Sequence, residues 1–252
     1  VESLVDNLGF KPFHFFKTAA HPCSYVEGRV SRSEVVVYPN PLTNRDFSFL
    51  IRQGFRRSGH YVYRPACDTC WACVPVRIAV KEFIPNRNQK RVAKKYQTLR
   101  QEVLPCEFEA AHYELYLRYQ SMRHTGGSMD QDDVGLYLDF LHSDVGEQIL
   151  LEFRDEEGTL KMVSLIDLVN DGLSSVYTFF DTDNPRDSLG TFGILAQIEL
   201  AKRLELPYVY LGFWIGQSEK MNYKKNFSGL ECLENSSVPV WRKFKEVFAD
   251  LV

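Results

Sequence analysis

Between residues 148 and 211 the chain sets three β-type runs, one long apolar helix and one further buried strand in a fixed order, and few folds accept that order. Residues 148–153, 162–169 and 175–180 are rich in β-branched, aliphatic and aromatic side chains and read as an antiparallel meander. Residues 189–204 follow as a helix, with Phe192, Leu195, Ile198 and Leu204 near helical spacing and Gly190 and Gly193 at its start. Residues 207–211 then read as a buried strand, and 240–248 as a last short helix. Amphipathic helices near 109–123 and 132–142 precede the meander. Periodicity alone leaves this as a mixed α/β or α+β chain without internal repeats or low-complexity tracts.

The first part of the chain reads differently. Residues 13–85 are short strands and turns: Val35-Val36-Val37-Tyr38 is ended by Pro39-Asn40-Pro41, and Tyr61-Val62-Tyr63 alternates beside Gly59. Residues 43–54 predict a helix, with Thr43 as N-cap, Asp46 in the first turn and Phe47, Leu50 and Ile51 on one face. Residues 88–103 predict a second helix, whose Lys90, Arg91, Lys94 and Lys95 share one stripe while Val92, Tyr96 and Leu99 face a core. These patterns divide the chain into a smaller domain over 1–85 and a larger one over 86–252.

Composition narrows the class of protein. With 252 residues, 44% hydrophobic and 25% charged, the chain can bury a sizeable core, which excludes disorder and fibrous repeats. No apolar run approaches the roughly 18 to 20 residues of a membrane span. Residues 1–12 lack the basic start and apolar middle of a signal peptide, so the expectation is a cytoplasmic protein with no membrane partner. The net charge of −3 hides an asymmetry, because residues 45–100 carry thirteen Lys and Arg against Asp46, Asp68 and Glu82. Such a block suits a polyanionic partner, nucleic acid above all, or else a solvated helix face balanced by acidic neighbours.

Four of the six cysteines fall early. Cys67, Cys70 and Cys73 form C-x-x-C-x-x-C, and Cys23 would complete a four-sulfur set if the fold brought it close. Two-residue spacings let successive sulfurs turn toward one ion, and thiolate suits zinc or an iron–sulfur cluster. Three small, partly buried thiols with no ligand are the plainer alternative. Cys106 and Cys232 read as ordinary core or surface residues.

Three segments are more specific. Gly54-Phe-Arg-Arg-Ser-Gly-His-Tyr-Val-Tyr-Arg-Pro65 precedes the cysteines. Ser175-Val-Tyr-Thr-Phe-Phe-Asp181 leads to Ser188-Leu-Gly-Thr191. Tyr208-Val-Tyr-Leu-Gly-Phe-Trp-Ile215 leads to Lys220-Met-Asn-Tyr-Lys224. In one register from about residue 20 to 231, they resemble the aminoacyl-tRNA–protein transferases, which include the eukaryotic arginyl and bacterial leucyl enzymes. The resemblance implies an α+β fold, an acetyltransferase-like (GNAT-type) catalytic domain with a smaller N-terminal cysteine-containing domain. It implies transfer of an amino acid from a charged tRNA to the N-terminal α-amine of a protein, which feeds degradation by the N-degron route. His21-Pro-Cys-Ser-Tyr25 and Val74-Pro-Val-Arg-Ile78 look like the bacterial leucyl branch, which acts on N-terminal Asp or Glu.

That reaction is aminolysis of an activated ester, so the chemistry requires no cofactor, in keeping with the lack of a nucleotide-binding G-x-x-x-x-G-K-[ST]. The attacking amine, with a free pKa of roughly 7.7 to 8.0, must lose a proton, and the tetrahedral oxyanion needs donors. Asp181 is the candidate to hold or deprotonate the amine, unless it only caps its turn. Lys220, Tyr223 and Lys224 are candidates to steady the terminal adenosine or the developing negative charge. An acidic substrate side chain calls for a guanidinium. Of the adjacent Arg56 and Arg57, one would serve that pocket while the other forms an internal ion pair, with Arg77 as an alternative. Leucine would sit among Phe179, Phe213 or Trp214, unless these are plain core, and Lys90, Arg91, Lys94 and Lys95 would contact tRNA phosphates. Where many family members carry C-G-Y-C, this chain reads Cys23-Ser24-Tyr25-Val26. Zinc, an iron–sulfur cluster rebuilt around Cys67, and a thiol patch without a ligand all stay open. Arginyl-tRNA as donor and a non-catalytic metal- and RNA-binding module are the alternatives to leucyl transfer.

Overall fold

The computed structural model describes residues 13–38, 42–123, 132–183, 188–234 and 239–251. Residues 1–12, examined above for a leader, and Pro39-Asn40-Pro41, read as a strand stop, lie outside them. Two sheets and a two-stranded hairpin organise the chain. The small sheet is formed by β1 (His14–Lys17), β4 (Ser33–Val37), β5 (Arg56–Ser58) and β6 (Tyr61–Pro65) in the order β1-β4-β6-β5, all antiparallel. Between its first two strands, β2 (His21–Pro22) and β3 (Val30–Ser31) pair as the hairpin that carries Cys23. Helix α1 (Asn44–Arg52) begins as its sequence predicts. The Asp46 backbone N–H donates to Thr43 Oγ1 at 3.2 Å and the Thr43 N–H donates back to the Asp46 carboxylate, a reciprocal cap that satisfies two otherwise orphaned donors. Its Phe47, Leu50 and Ile51 are buried beneath Val36 and Val62 of the small sheet.

The large sheet holds β7 (Val74–Ala79), β8 (Arg100–Pro105), β9 (Glu147–Arg154), β10 (Leu160–Val169), β11 (Gly172–Phe180), β12 (Tyr208–Trp214), β13 (Leu230–Glu234) and β14 (Val240–Lys243), in the order β14-β13-β7-β12-β11-β10-β9-β8. Its one parallel pair is β11–β12, because the helix α5 (Leu189–Arg203) carries the chain back across the sheet between them. Eight of the ten residues of β10 are buried, as expected of a strand covered on both faces. One face packs under α5 and α2 (Arg87–Lys95), the other under α3 (Ala110–Arg123) and α4 (Val134–Leu141).

Three expectations change. The helix predicted over 88–103 ends at Lys95, and Arg100–Pro105 instead pairs with β9 from Arg100↔Arg154 to Pro105↔Ile149. Pairing along one edge satisfies the backbone groups of alternate residues in concert and overrides local helix propensity. The helix predicted over 240–248 is a strand first, Val240–Lys243, which lays Trp241 over the sheet, and helical only as α7 (Phe244–Val247). The boundary drawn at residue 85 does not separate two sheets. Val74–Ala79, on its N-terminal side, is hydrogen-bonded between β12 and β13 in the middle of the large sheet.

The small sheet docks on the large one through buried contacts. Val145, Val169 and Tyr210 join its apolar cluster, and the Trp241 indole N–H donates to Arg52 O at 3.1 Å. A buried ion pair ties the two sheets together, with Arg57 Nε of β5 2.6 Å from Asp167 Oδ1 of β10.

Candidate functional site

The site begins where β11 and β12 stop pairing. Their parallel register runs only from Gly172↔Tyr208 to Ser174↔Tyr210. Just beyond, each strand carries an irregularity. In β11 the register against β10 shifts around Val176, and in β12 the register against β7 shifts between Tyr210 and Phe213. At that shift Gly212 has φ +69°, a left-handed conformation that costs a side-chain-bearing residue about 1–2 kcal/mol. Bulges bend strands and re-aim their carbonyls, so the two strands part toward their C-terminal ends. Such ends are where ligands bind in α/β sheets.

Two cations from elsewhere in the sequence fill the gap. Arg56 Nη2 donates to Val176 O at 2.8 Å, and its Nη1 lies so close to Gly212 that a Cβ there would be 2.8 Å away. Lys224 is buried and its Nζ donates to Leu211 O at 2.8 Å and Phe213 O at 2.6 Å, with Met221 Sδ at 3.5 Å. Phe213 faces Pro75 across the ladder, and proline has no N–H to offer its carbonyl. Burial, helped by the Arg56 guanidinium, pushes the Lys224 ammonium down to about 7. The two carbonyls and the thioether sulfur are the groups that accept from it. Tyr63, directly across the ladder from Arg56, meets Phe213 with ring centroids 6.5 Å apart. A water-sized void of about 10 Å³ lies behind Arg56 against Ser174, Tyr210 and Trp241.

The other predicted residues divide among several places. Arg57 is the internal member of the arginine pair, fully buried on Asp167. Burial pushes that carboxyl up, to about 6, against the pull of Arg57 and Arg56. Arg77 is consumed by Glu231 at 2.7 Å and Tyr210 Oη at 3.2 Å, with its guanidinium 3.5 Å from the Tyr208 ring centroid. Phe179 packs between Tyr116 and Tyr137, and Trp214 between Phe244 and Phe248, so both are core. Asp181 closes β11, five residues or roughly 16 Å along the strand from Val176. Burial raises its carboxyl, but the Asp183 N–H, the Lys161 ammonium at 3.1 Å and Arg118 together hold it below the ordinary carboxylate range. Lys220, on the short α6 (Glu219–Asn222), is exposed and reaches Arg123 O at 3.5 Å, and Tyr223 is partly exposed beside it. Lys90, Arg91, Lys94 and Lys95 are all exposed on α2, which buries Gln89 and Val92.

The four early cysteines are each half-buried. Burial, with the neighbouring Cys23, Cys67 and Cys70, pushes the Cys73 thiol up to about 12. The Tyr25 N–H donates to Cys23 Sγ at 3.5 Å. Thiols are donors that a thiophilic metal accepts, but among the described residues no three of these sulfurs lie within 4.8 Å of one another. Glu109, His112 and Glu152 do converge that closely, but Arg154 donates to both carboxylates at 2.6 to 3.1 Å and already supplies the positive charge a metal would bring. Sequence reasoning missed Asp167, Tyr63 and Gly212. The signal for Asp167 was a lone acid inside the apolar run Ser164-Leu-Ile-Asp-Leu-Val169.

Two family models match. One described as Arginine-tRNA-protein transferase, N terminus, covers residues 21–91, and one described as Arginine-tRNA-protein transferase, C terminus, covers 111–234. The chain is 49% identical over 228 residues to the aspartate/glutamate leucyltransferase of Thiobacillus denitrificans, spanning 90% of this chain and 95% of that protein. It is 47% identical over 220 residues to the aspartate/glutamate leucyltransferase of Chromobacterium violaceum, spanning 87% and 90%. Among solved structures the crystal structure of FemX is similar in fold, with a TM-score of 0.51 at 8% identity over 98% of this chain and 92% of that one. No helix among the described residues is long and apolar enough to cross a membrane.

Proposed function

The chain belongs to the aminoacyl-tRNA–protein transferases, in their bacterial aspartate/glutamate leucyltransferase branch, and from that premise we propose how its crevice does this chemistry. The enzyme transfers leucine to the N-terminal α-amine of proteins that begin with Asp or Glu, and leucyl-tRNA is the donor. The observation that carries the assignment of roles is the arginine pair. Arg57 and Arg77 are spent on internal carboxylates, whereas Arg56 stands at the parting of β11 and β12 with one guanidinium N–H on Val176 O. A guanidinium has five N–H donors. Arg56 therefore keeps capacity to grip the substrate's first side chain while it braces the crevice.

In the reaction the α-amine nitrogen attacks the ester carbonyl of leucyl-tRNA, the carbonyl oxygen takes up negative charge, and the ribose oxygen leaves with a proton. Asp181, ionised at neutral pH, stands roughly 16 Å along β11 from Val176, farther than a residue gripped by Arg56 can reach, so the α-ammonium gives up its proton to solvent rather than to Asp181. Lys220 and Tyr223, on the rim, steady the terminal adenosine and the departing oxygen. Lys224 acts differently from its expected role, because both of its short contacts are to backbone carbonyls. It props β12 open and so shapes the pocket, with Phe213 the one predicted leucine contact at the crevice. Exposed Lys90, Arg91, Lys94 and Lys95 follow the tRNA backbone. Cys23, Cys67, Cys70 and Cys73 would be the ligands of a zinc ion or iron–sulfur cluster if their sulfurs drew together, and such a group would tie the β2–β3 hairpin to the small sheet; the protein works in the cytoplasm.

The test is a product-mass assay with peptides beginning Asp, Glu, Lys or Ala and total charged tRNA. The native protein should add leucine to the Asp and Glu peptides alone. Arg56→Gln should lose at least about 100-fold in kcat/KM for those two, the scale of a lost charge-assisted pair. If Arg56→Gln kept the acidic preference, the assignment would be overturned. Addition of arginine would move the donor.

A further inference from the structure

The face of the small sheet that carries Arg56 extends well beyond it, over side chains the crevice chemistry does not use. Side chains alternate across a strand, so one cross-strand row on that face reads Phe16, Val35, Tyr63 and Arg56, each directly opposite the next. A second row carries Val37 and Tyr61. Phe16 is 61% exposed and Tyr61 70% exposed. Phe16, Val35, Val37, Tyr61 and Tyr63 line an open groove of about 680 Å³, which Tyr38 and His60 help to close and which Arg56 adjoins without lining. Tyr63 is the lining residue directly opposite Arg56, so the groove ends one strand spacing from that guanidinium-bearing residue.

The groove's lining contains no Lys, Arg, Asp or Glu. Lys17, Glu34 and Arg64 occupy the alternate positions on the opposite face, and Lys17 and Arg64 are paired with Asp68 and Glu34. A nucleic-acid strand laid here would have its phosphates uncompensated, and phosphate neutralisation dominates such binding. The other macromolecule this family must seat is a polypeptide. From Arg56 to Phe16 the row crosses three strand spacings, about 14 Å, which an extended chain covers with about four residues.

Resting on the reading of Arg56 as the anchor for the acidic first residue, we propose that this face is the track for residues two to five of the protein substrate, extended across the aromatic row, with apolar side chains preferred. The enzyme then reads more than the first residue, and favours substrates whose N-terminal segment is extended and uncharged.

The experiment compares Asp-Ala with Asp-initiated hexapeptides whose residues three to five are either Val-Leu-Phe or Asp-Ser-Glu, in the native enzyme, Phe16→Ser and Tyr61→Ser. Both side chains are mostly exposed, so their truncation leaves the fold intact. The native enzyme should show a KM for the apolar hexapeptide about tenfold or more below that for the acidic one. Each variant should erase that gap while kcat, the KM for Asp-Ala and the KM for leucyl-tRNA stay unchanged. A rise in the leucyl-tRNA KM instead would assign the face to the tRNA end and overturn the proposal. An unchanged hexapeptide KM would overturn it too. A photoreactive phenylalanine at position four should crosslink to the segments holding Phe16 or Tyr61, and crosslinking only elsewhere would refute it. Failure of the Arg56 reading shows separately, as acidic preference retained by Arg56→Gln.

Discussion

Lys224 gives the sharpest test of how the crevice is built. Its Nζ is the donor to Leu211 O and Phe213 O, at 2.8 and 2.6 Å, in a place that is 5% exposed. In Lys224→Met the side chain keeps much of its apolar length but leaves both carbonyls bare, at a cost of about 1–3 kcal/mol each. Against that loss stands the burial of the lysine's own charge, and the balance moves with pH. The folded protein holds Lys224 neutral above about 7, whereas an unfolded lysine keeps its proton to 10.5. Between those values the unfolded state binds one more proton, so the native protein gains stability relative to the variant as pH rises. The gain is about 1.4 kcal/mol per pH unit, or about 4 kcal/mol from pH 7 to 10. Below pH 7 both states are protonated and the difference goes flat.

Urea unfolding of both proteins, followed by tryptophan fluorescence at each pH from 6 to 10, reads this difference directly. Every other titrating group is common to the two proteins and cancels. A gap that stays constant or shrinks above pH 7 would refute the argument, because it would mean that Lys224 keeps its charge in the folded state and props the strands as an ammonium.

Three further outcomes follow from the same geometry. Arg57→Leu should cost about 3–5 kcal/mol of stability by stranding Asp167 in the core, and adding Asp167→Leu should restore most of it; equal midpoints for the single and double variants would contradict a buried pair. Gly212→Ala should cost about 1–2 kcal/mol through its positive φ. Its Cβ would also shift the Arg56 guanidinium, so the KM for an Asp-initiated peptide should rise while that for leucyl-tRNA holds; unchanged peptide kinetics would detach Gly212 from the site. Reversing Lys94 and Lys95 to Glu should weaken tRNA binding and flatten its salt dependence by about 0.7 to 0.9 per lost phosphate contact, measured by filter binding at several salt concentrations, and an untouched slope would release α2 from the interface.

What could be read from the sequence follows from how local each determinant is. Thr43 and Asp46 cap α1 through groups three residues apart, so the cap was legible. The meander strands were legible too, because their burial writes a continuous apolar signature. The failures are non-local. Arg100–Pro105 carries helix-compatible residues and becomes a strand only because β9 offers it an edge, 44 residues further on at Pro105↔Ile149. Nothing near Lys224 announces that its partners are carbonyls on β12, since those carbonyls are available only after bulges at Val176 and Gly212 have parted two strands.

 The arginine pair lies between these cases. Adjacent residues on a strand point to opposite faces, so Arg56 and Arg57 had to part company. Which one faced the core was decided by Asp167, 110 residues away on β10.

That division of labour explains why the crevice can be both rigid and receptive. Arg57 locks β5 to β10 from below, so its neighbour is held at the parting of β11 and β12 without needing a carboxylate of its own. A cation fixed by its backbone and only lightly used by its side chain loses little freedom when an acidic group arrives, and preorganisation of that kind favours binding. The same logic applies to Lys224, which satisfies the strand carbonyls so that the crevice need not close on itself. If Arg56 grips the acidic first residue, selectivity rests on the adjacent Arg56 and Arg57 together with Lys224 far along the chain, and a change at any of them should register at the other two.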